Sequence, residues 1–297
     1  MTRARDLAEL VRLPAALTVP GDALVGMRSA AASVAGPSRP GDVALPAASV
    51  CLYWAGMALN DWADRDLDAV ERPERPIPSG RVAPRTAFTL ASGLTAAGLG
   101  LAAVAGRRSV AVATALAATV WTYDLAARTT RVGPAVMGAA RGLDVLLGAG
   151  GSRHAALPAA LVAAHTVGVT ALSRGEVHGT RPVVPAVVAA ATAVTSVAAG
   201  ALPLVRRTRR GGAVRRTPVV AAVALAGLHA VSVAGAQLRA ARTPDGATVR
   251  AATGAGVRGL VPLQASLLAG TGAVGTALGL VAVGPALRAA SRVVSPT

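Results

Sequence analysis

Long uncharged stretches alternate with short polar ones along this chain. Residues 43–60, 86–106, 155–173, 182–205, 217–238 and 259–287 contain no Asp, Glu, Lys or Arg. Each is about as long as the roughly 17–25 residues a helix needs to cross a hydrocarbon core. A helix on the surface of a soluble domain would show polar residues on its outer face at every turn. These stretches therefore predict membrane spans. Three further stretches are interrupted by isolated charges. Residues 11–34 hold Asp22 and Arg28, residues 109–126 reach Asp124 near their end, and residues 133–150 hold Arg141 and Asp144. The pattern predicts an all-α, polytopic membrane protein with about nine transmembrane helices, and residues 1–297 read as one domain.

Composition sharpens this picture. Hydrophobic residues make up 53% of the 297 positions, and mean hydropathy is +0.53. Ala and Gly dominate the spans, and small residues let helix backbones approach closely in a bilayer. All 30 basic residues are arginine, and the net charge is +16. That charge raises the possibility of a nucleic-acid partner. The arginines fall in the loops between spans, however, where attraction to anionic lipid accounts for them. A single cysteine, Cys51, excludes an internal disulfide. No His/Cys cluster points to zinc, and no Gly-rich, Lys-ending loop points to a nucleotide.

Loop charge also predicts orientation. With nine spans, the N-terminus shares a side with loops 61–85, 127–132, 174–181 and 239–258. That side carries sixteen arginines and the opposite side twelve, six of these between residues 206 and 216. The excess predicts that the first side is cytoplasmic. The Arg206–Arg210 cluster opposes this assignment and reads as a solvated turn.

The same side carries the densest acidic cluster: Asn60-Asp61-Trp62-Ala63-Asp64-Arg65-Asp66-Leu67-Asp68. On a helix, Asp61, Asp64 and Asp68 stand at i, i+3 and i+7, which puts three carboxylates on one face. Such a row repels itself and is costly to desolvate at a membrane boundary. A cation relieves both costs. Hard oxygen ligands suit Mg²⁺, which is often shared between carboxylates and a phosphate-bearing substrate. The next residues, Glu71-Arg72-Pro73-Glu74-Arg75-Pro76-Ile77-Pro78-Ser79-Gly80-Arg81, predict a helix end followed by an extended loop. Arg72, Arg75 and Arg81 are expected beside the carboxylates, either as phosphate ligands or as salt-bridge partners.

Asn60-Asp61-x-x-Asp64-x-x-x-Asp68, followed by Arg72-Pro73-x-Arg75-Pro76-x-Pro78-Ser79-Gly80-Arg81, resembles the first signature of the UbiA superfamily of intramembrane prenyltransferases. The resemblance implies helices around a central cavity and Mg²⁺ bridging Asp-rich motifs to a prenyl diphosphate. It also implies a lipophilic acceptor that attacks the allylic cation. It makes Asn60, Asp61, Asp64 and Asp68 candidate catalytic residues, with Arg72 and Arg75 binding substrate. Tyr123 and Arg128 resemble the family's Tyr and basic pair, with Arg131 as an alternative to Arg128. Asp124, beside Tyr123, lies outside the pattern. The second Asp-rich motif is thin: Ser173-Arg174-Gly175-Glu176-Val177-His178 offers Arg174 for diphosphate and only Glu176 as a further metal ligand. Asp144, three residues after Arg141, either lines the cavity or forms a structural pair. Asp22 is a further substrate-side candidate because ionisable groups in spans tend to face cavities. Gln264 is expected near the same cavity, and His165 in the core. Among the few rings, Tyr53 and Trp54 are expected to face the cavity, and Phe88 to pack. A terpene cyclase using the same diphosphate site, or a non-catalytic lipid-binding protein, are the rival readings.

Overall fold

The computed structural model describes residues 4–13, 20–31, 40–208 and 216–282, and no strand occurs among them. The side chains of the Arg206–Arg210 cluster lie outside the described residues. The helices are α1 (Ala4–Leu10), α2 (Pro20–Ala31), α3 (Pro40–Ala63), α4 (Arg65–Glu71), α5 (Pro84–Val104), α6 (Arg107–Thr122), α7 (Gly133–Gly148), α8 (Ala156–Ser173), α9 (Val183–Thr208), α10 (Arg216–Arg242) and α11 (Gly246–Ala269). A turn of π-helix, Tyr123–Ala127, extends α6. Among the described residues, six helical segments are long and apolar enough to cross a membrane. They correspond to α3, α5, α6 with its π turn, α8, α9 and α10. The chain is thus a multi-pass, all-helical membrane protein. The shorter α7 carries Arg141 and Asp144, and α2 is only 12 residues long.

Helix ends follow local chemistry. Pro84 sits in the first turn of α5, where its missing N–H costs nothing. Asp245 caps α11 by accepting from the Thr248 N–H at 2.9 Å and from its hydroxyl at 2.8 Å.

Two expectations from the uncharged stretches are corrected. Residues 259–287 are not one span: α11 ends at Ala269, a turn carries Gly272 at φ +91°, and helix resumes at 274–282. Residues 239–258 are mostly helix rather than loop, so Arg250 and Arg258 ride on α11. Counting charges does not detect a turn made of uncharged Gly and Thr.

Small residues set the tightest crossing. A Cβ on Gly26 of α2 would lie 1.9 Å from the Val145 carbonyl of α7, and one on Gly148 would lie 2.1 Å from the Ala23 carbonyl. A polar seam fills the middle of the bundle. Asp22 (α2) pairs with Arg141 (α7) at 2.8 Å and accepts from Gln264 (α11) at 2.6 Å. His165 (α8) reaches the Gly256 carbonyl of α11 at 3.0 Å. Its other ring nitrogen meets His229 (α10) at 3.2 Å, and His229 meets Ser196 (α9) at 2.8 Å. Such buried polar networks fix which helix faces meet. His165 is therefore a hydrogen-bonded core residue, as expected, and Gln264 serves Asp22.

Candidate functional site

The site lies where α3 gives way to α4. Asp64 stands between the two helices at backbone angles of −90° and −1°, and helical backbone bonds from Asp64 to Asn60 (2.9 Å) and from Asp68 to Asp64 (2.8 Å) carry the chain through the acidic motif. The three aspartates do not all take the same arginine partner. Asp61 and Asp68 converge on a single guanidinium: Arg75 Nη1 lies 3.4 Å from Asp61 and 2.6 Å from Asp68. Asp64 pairs with Arg128. Asp61 and Asp68 are only 5% and 3% exposed, so each needs that compensation. Among the described residues no three His, Cys, Asp or Glu side chains converge on one point that could hold an ion.

The stretch after α4 is a series of tight turns rather than an extended loop. The Ser79 N–H bonds the Arg75 carbonyl, and the Val82 N–H bonds the Pro76 carbonyl. Gly80, at φ +74°, lets the chain reverse there. This turn series aims Arg75 inward. Arg81, expected beside the carboxylates, instead pairs with Asp6 and Glu9 and fastens α1 to the turns. Hydrogen bonds that it donates to Glu9 and then to Asp6 hold its proton affinity above the ordinary arginine value. Arg72 is exposed and makes no ion pair among the described residues.

Arg12 had no role in the sequence pattern. It sits past α1 with a left-handed backbone (φ 50°) and reaches Asp61 at 3.2 Å. Such a conformation costs a bulky residue about 1–3 kcal/mol, and here it directs the guanidinium at the site. Arg65 lies 4.9 Å from the centre of the Trp62 ring, and Trp62, Phe88 and Trp121 form a small aromatic cluster with tilted and edge-on contacts.

Two cavities adjoin this cluster. A polar one of about 250 Å³ is lined by Trp62, Arg65, Asp124, Arg128 and Thr129, among others. An apolar one of about 110 Å³ runs between α3, α6 and α7, past Tyr53, Met57, Tyr123 and Met137 to Arg141 and Asp144. Asp124 lines both. The π turn carries Asp124 into this position: its wider turn changes the side-chain register before the helix ends. The Asn60 side-chain amide donates to Asp124 Oδ1 at 3.3 Å. Tyr53 lines the apolar cavity as expected; Trp54 does not, and its indole N–H is buried without a partner.

The loop after α8 meets the site through backbone. Arg174 donates to the Arg128 and Thr130 carbonyls, holding the turn that presents Arg128. Glu176 stands further off. Its carbonyl accepts from Arg250 at 2.9 Å, and none of its contacts among the described residues joins it to the aspartates.

The chain is 42% identical over 84 residues to digeranylgeranylglyceryl phosphate synthase of Methanopyrus kandleri, a match covering 28% of this chain and 31% of that protein. Matches to three such curated relatives cover only 31–40% of their lengths. A solved structure of digeranylgeranylglyceryl phosphate synthase in membranes superposes with a TM-score of 0.67 at 14% identity, covering 91% of this chain and 99% of that one. A UbiA homologue from Archaeoglobus fulgidus bound to GPP and Mg²⁺ superposes at 0.60, also at 14% identity, covering 86% and 99%. At these identities the structures establish a shared fold. The model of the UbiA prenyltransferase family matches residues 23–294, nearly the whole length, and the chain belongs to that family.

Proposed function

We infer that this protein transfers an isoprenoid group from a prenyl diphosphate to a lipophilic acceptor within the membrane, with Mg²⁺ as cofactor. On this reading residues 1–297 act as one domain. The observation that carries it is the pair of adjoining cavities. One is polar and bears Arg65 and Arg128; the other is apolar; Asp124 is common to both. That shape suits an amphiphile with an anionic head and a hydrocarbon tail.

The donor set supports a divalent cation. Asp61 and Asp68 already share one cationic atom, the Nη1 of Arg75, so two buried carboxylates define a common cation position. Asp61 and Asp68 would hold Mg²⁺ through hard oxygens, and Asp64 would join them on leaving Arg128. When bound, the ion supplies neutralisation of the charge that grows on the departing diphosphate. The A. fulgidus homologue, which holds GPP with Mg²⁺, is consistent with this assignment.

The protein's own side chains do the remaining work. Arg128, Arg75 and the exposed Arg72 neutralise the diphosphate, more strongly as the C–O bond breaks than before it. Arg174 keeps the Arg128 turn in place. The apolar walls receive the tail and exclude water that would quench the allylic cation. Tyr53 and Tyr123 offer ring faces to that cation. Asp144 lines the inner end beside Arg141, which Asp22 holds from behind, and the arginine excess on this face of the bundle supports a cytoplasmic site.

The test is turnover. Purified protein is incubated with labelled prenyl diphosphates of several chain lengths, Mg²⁺ and a lipid extract as acceptor pool. Transfer to an acceptor is expected. A cyclised hydrocarbon would select the cyclase reading instead, and binding without turnover would select a lipid carrier. Asp64→Ala is expected to abolish transfer, and unchanged turnover would remove its assigned role.

A further inference from the structure

Asp124 stands apart from its neighbours. Asp61, Asp64 and Asp68 each have an arginine partner, and Asp124 has none among the described residues. It is only 6% exposed, on a span that would ordinarily exclude a lone carboxylate. Its Oδ1 is oriented by the Asn60 amide. Among the described residues Oδ2 has no hydrogen-bond donor, and a Cβ built on Gly56, which also borders the apolar cavity, would lie 3.9 Å from it. This oxygen belongs to the boundary between the polar and apolar cavities.

That boundary is where an amphiphilic donor must place its scissile carbon. The head cannot enter the apolar cavity, and the tail gains nothing in the polar one. A carboxylate there with one oriented and one unengaged oxygen has the features of a proton acceptor. We propose that Asp124 is the general base for the acceptor, and hence that the acceptor is an uncharged nucleophile, a hydroxyl or a phenolic ring, that must lose a proton on alkylation. The proposal rests on the prenyl-transfer reading above.

The C–O bond of the donor breaks, and its electron pair leaves with diphosphate. The acceptor's electron pair forms the new bond to the allylic carbon, and its proton passes to Asp124 Oδ2. Because Asp124 also lines the polar cavity, that proton can leave to water without crossing the apolar one. An acceptor already ionised, such as a thiolate, would not need the residue. Asn60 acts through Asp124 as a positioning residue.

Asp124→Asn keeps the size of the side chain and a carbonyl oxygen for Asn60. The experiment compares it with the parent in three measurements: binding of the thio analogue of geranyl diphosphate with Mg²⁺, release of diphosphate from geranyl diphosphate, and transfer to a long-chain alcohol and to a phenol. Analogue affinity within about threefold of the parent is expected, with transfer at saturating donor and acceptor down at least ~100-fold, the usual range for a lost general base. Diphosphate release should continue, with prenyl alcohol replacing the transfer product. Asp124→Ala should regain transfer when formate is added. Transfer by Asp124→Asn at the parental rate would overturn the proposal. Loss of analogue binding would also overturn it, since it would make Asp124 part of the donor site. A parent that binds no analogue would instead refute the prenyl-transfer reading itself.

Discussion

Two nearly buried carboxylates, Asp61 and Asp68, depend on one guanidinium. Arg75 lies between them, and Arg12 helps at Asp61. Removing Arg75 leaves like charges facing each other in a poorly solvated place, where breaking such a pair costs on the order of 3 kcal/mol. Arg75→Ala should therefore lower the thermal midpoint strongly in EDTA, read by tryptophan fluorescence in detergent. If a cation can take the place of Arg75, Mg²⁺ should raise the midpoint of the variant by more than that of the parent, because the ion binds the folded state alone. An equal shift in both would show that these two aspartates do not take up the ion. The acids themselves were legible in the sequence, since their spacing and the cost of such a row point to a cation without any structure. Their partners were less so. Arg12 and Arg128 arrive from 49 and 64 residues away, from Asp61 and Asp64 respectively, and only helix packing brings them there. Asp124 was visible as an oddity, but its role depends on a π turn that no spacing rule announces.

Helix pairs are held by missing side chains as much as by present ones. Gly26 and Gly148 face each other's helices at the crossing of α2 and α7, which also carries the Asp22–Arg141 pair. A methyl at Gly148 would lie 2.4 Å from the Ala23 Cα, a backbone atom that cannot swing aside. Gly148→Ala should destabilise the protein by about 1–3 kcal/mol, the usual cost of overpacking, measured by denaturant unfolding in mixed micelles. Gly227→Ala, where an added Cβ meets nothing within 4 Å, serves as the control and should be neutral or slightly stabilising. The start of α11 gives a second test. The Thr248 N–H bond holds Asp245 below the ordinary carboxylate range, with the Thr248 hydroxyl adding to it. A depressed carboxylate contributes stability above its unfolded value, near pH ~4, and loses it as pH falls through the folded value. Asp245→Ala should thus lower the thermal midpoint at pH 7, and the difference from the parent should shrink in melts taken below pH ~4. A constant gap would mean that the cap does not act through its charge. Helix positions were largely legible from uncharged runs, because hydrocarbon-crossing length is a strong constraint. The break after Ala269 was not, because Gly-Thr-Gly is as uncharged as the helix it ends.

Across the whole molecule, the polar turns that carry the site gather at one end of the bundle. Arg174 ties the turn after α8 to the turn after α6, and the Thr180 N–H bonds the Pro244 carbonyl before α11. The ends of α8 therefore report the two faces of the membrane. Arg153 precedes its start and His178 follows its end, and both are exposed. The arginine excess on the His178 face, together with a net charge of +16, predicts that this face meets the anionic cytoplasmic leaflet. The excess is modest, so a direct reading of sidedness is worth more than further counting. Cys51 is the sole cysteine, so a Cys51→Ser background allows single cysteines to be placed without interference. His178→Cys should react with a membrane-impermeant maleimide only after cells are opened, and Arg153→Cys in intact cells. The reverse pattern would put the aspartates and both cavities on the outer face, where a cytosolic prenyl diphosphate could not reach them. Labelling of both positions from one side would contradict α8 as a span. The expected pattern would join the site's chemistry to the compartment in which soluble diphosphates are made, and would leave the tail cavity open to lipid from the same leaflet.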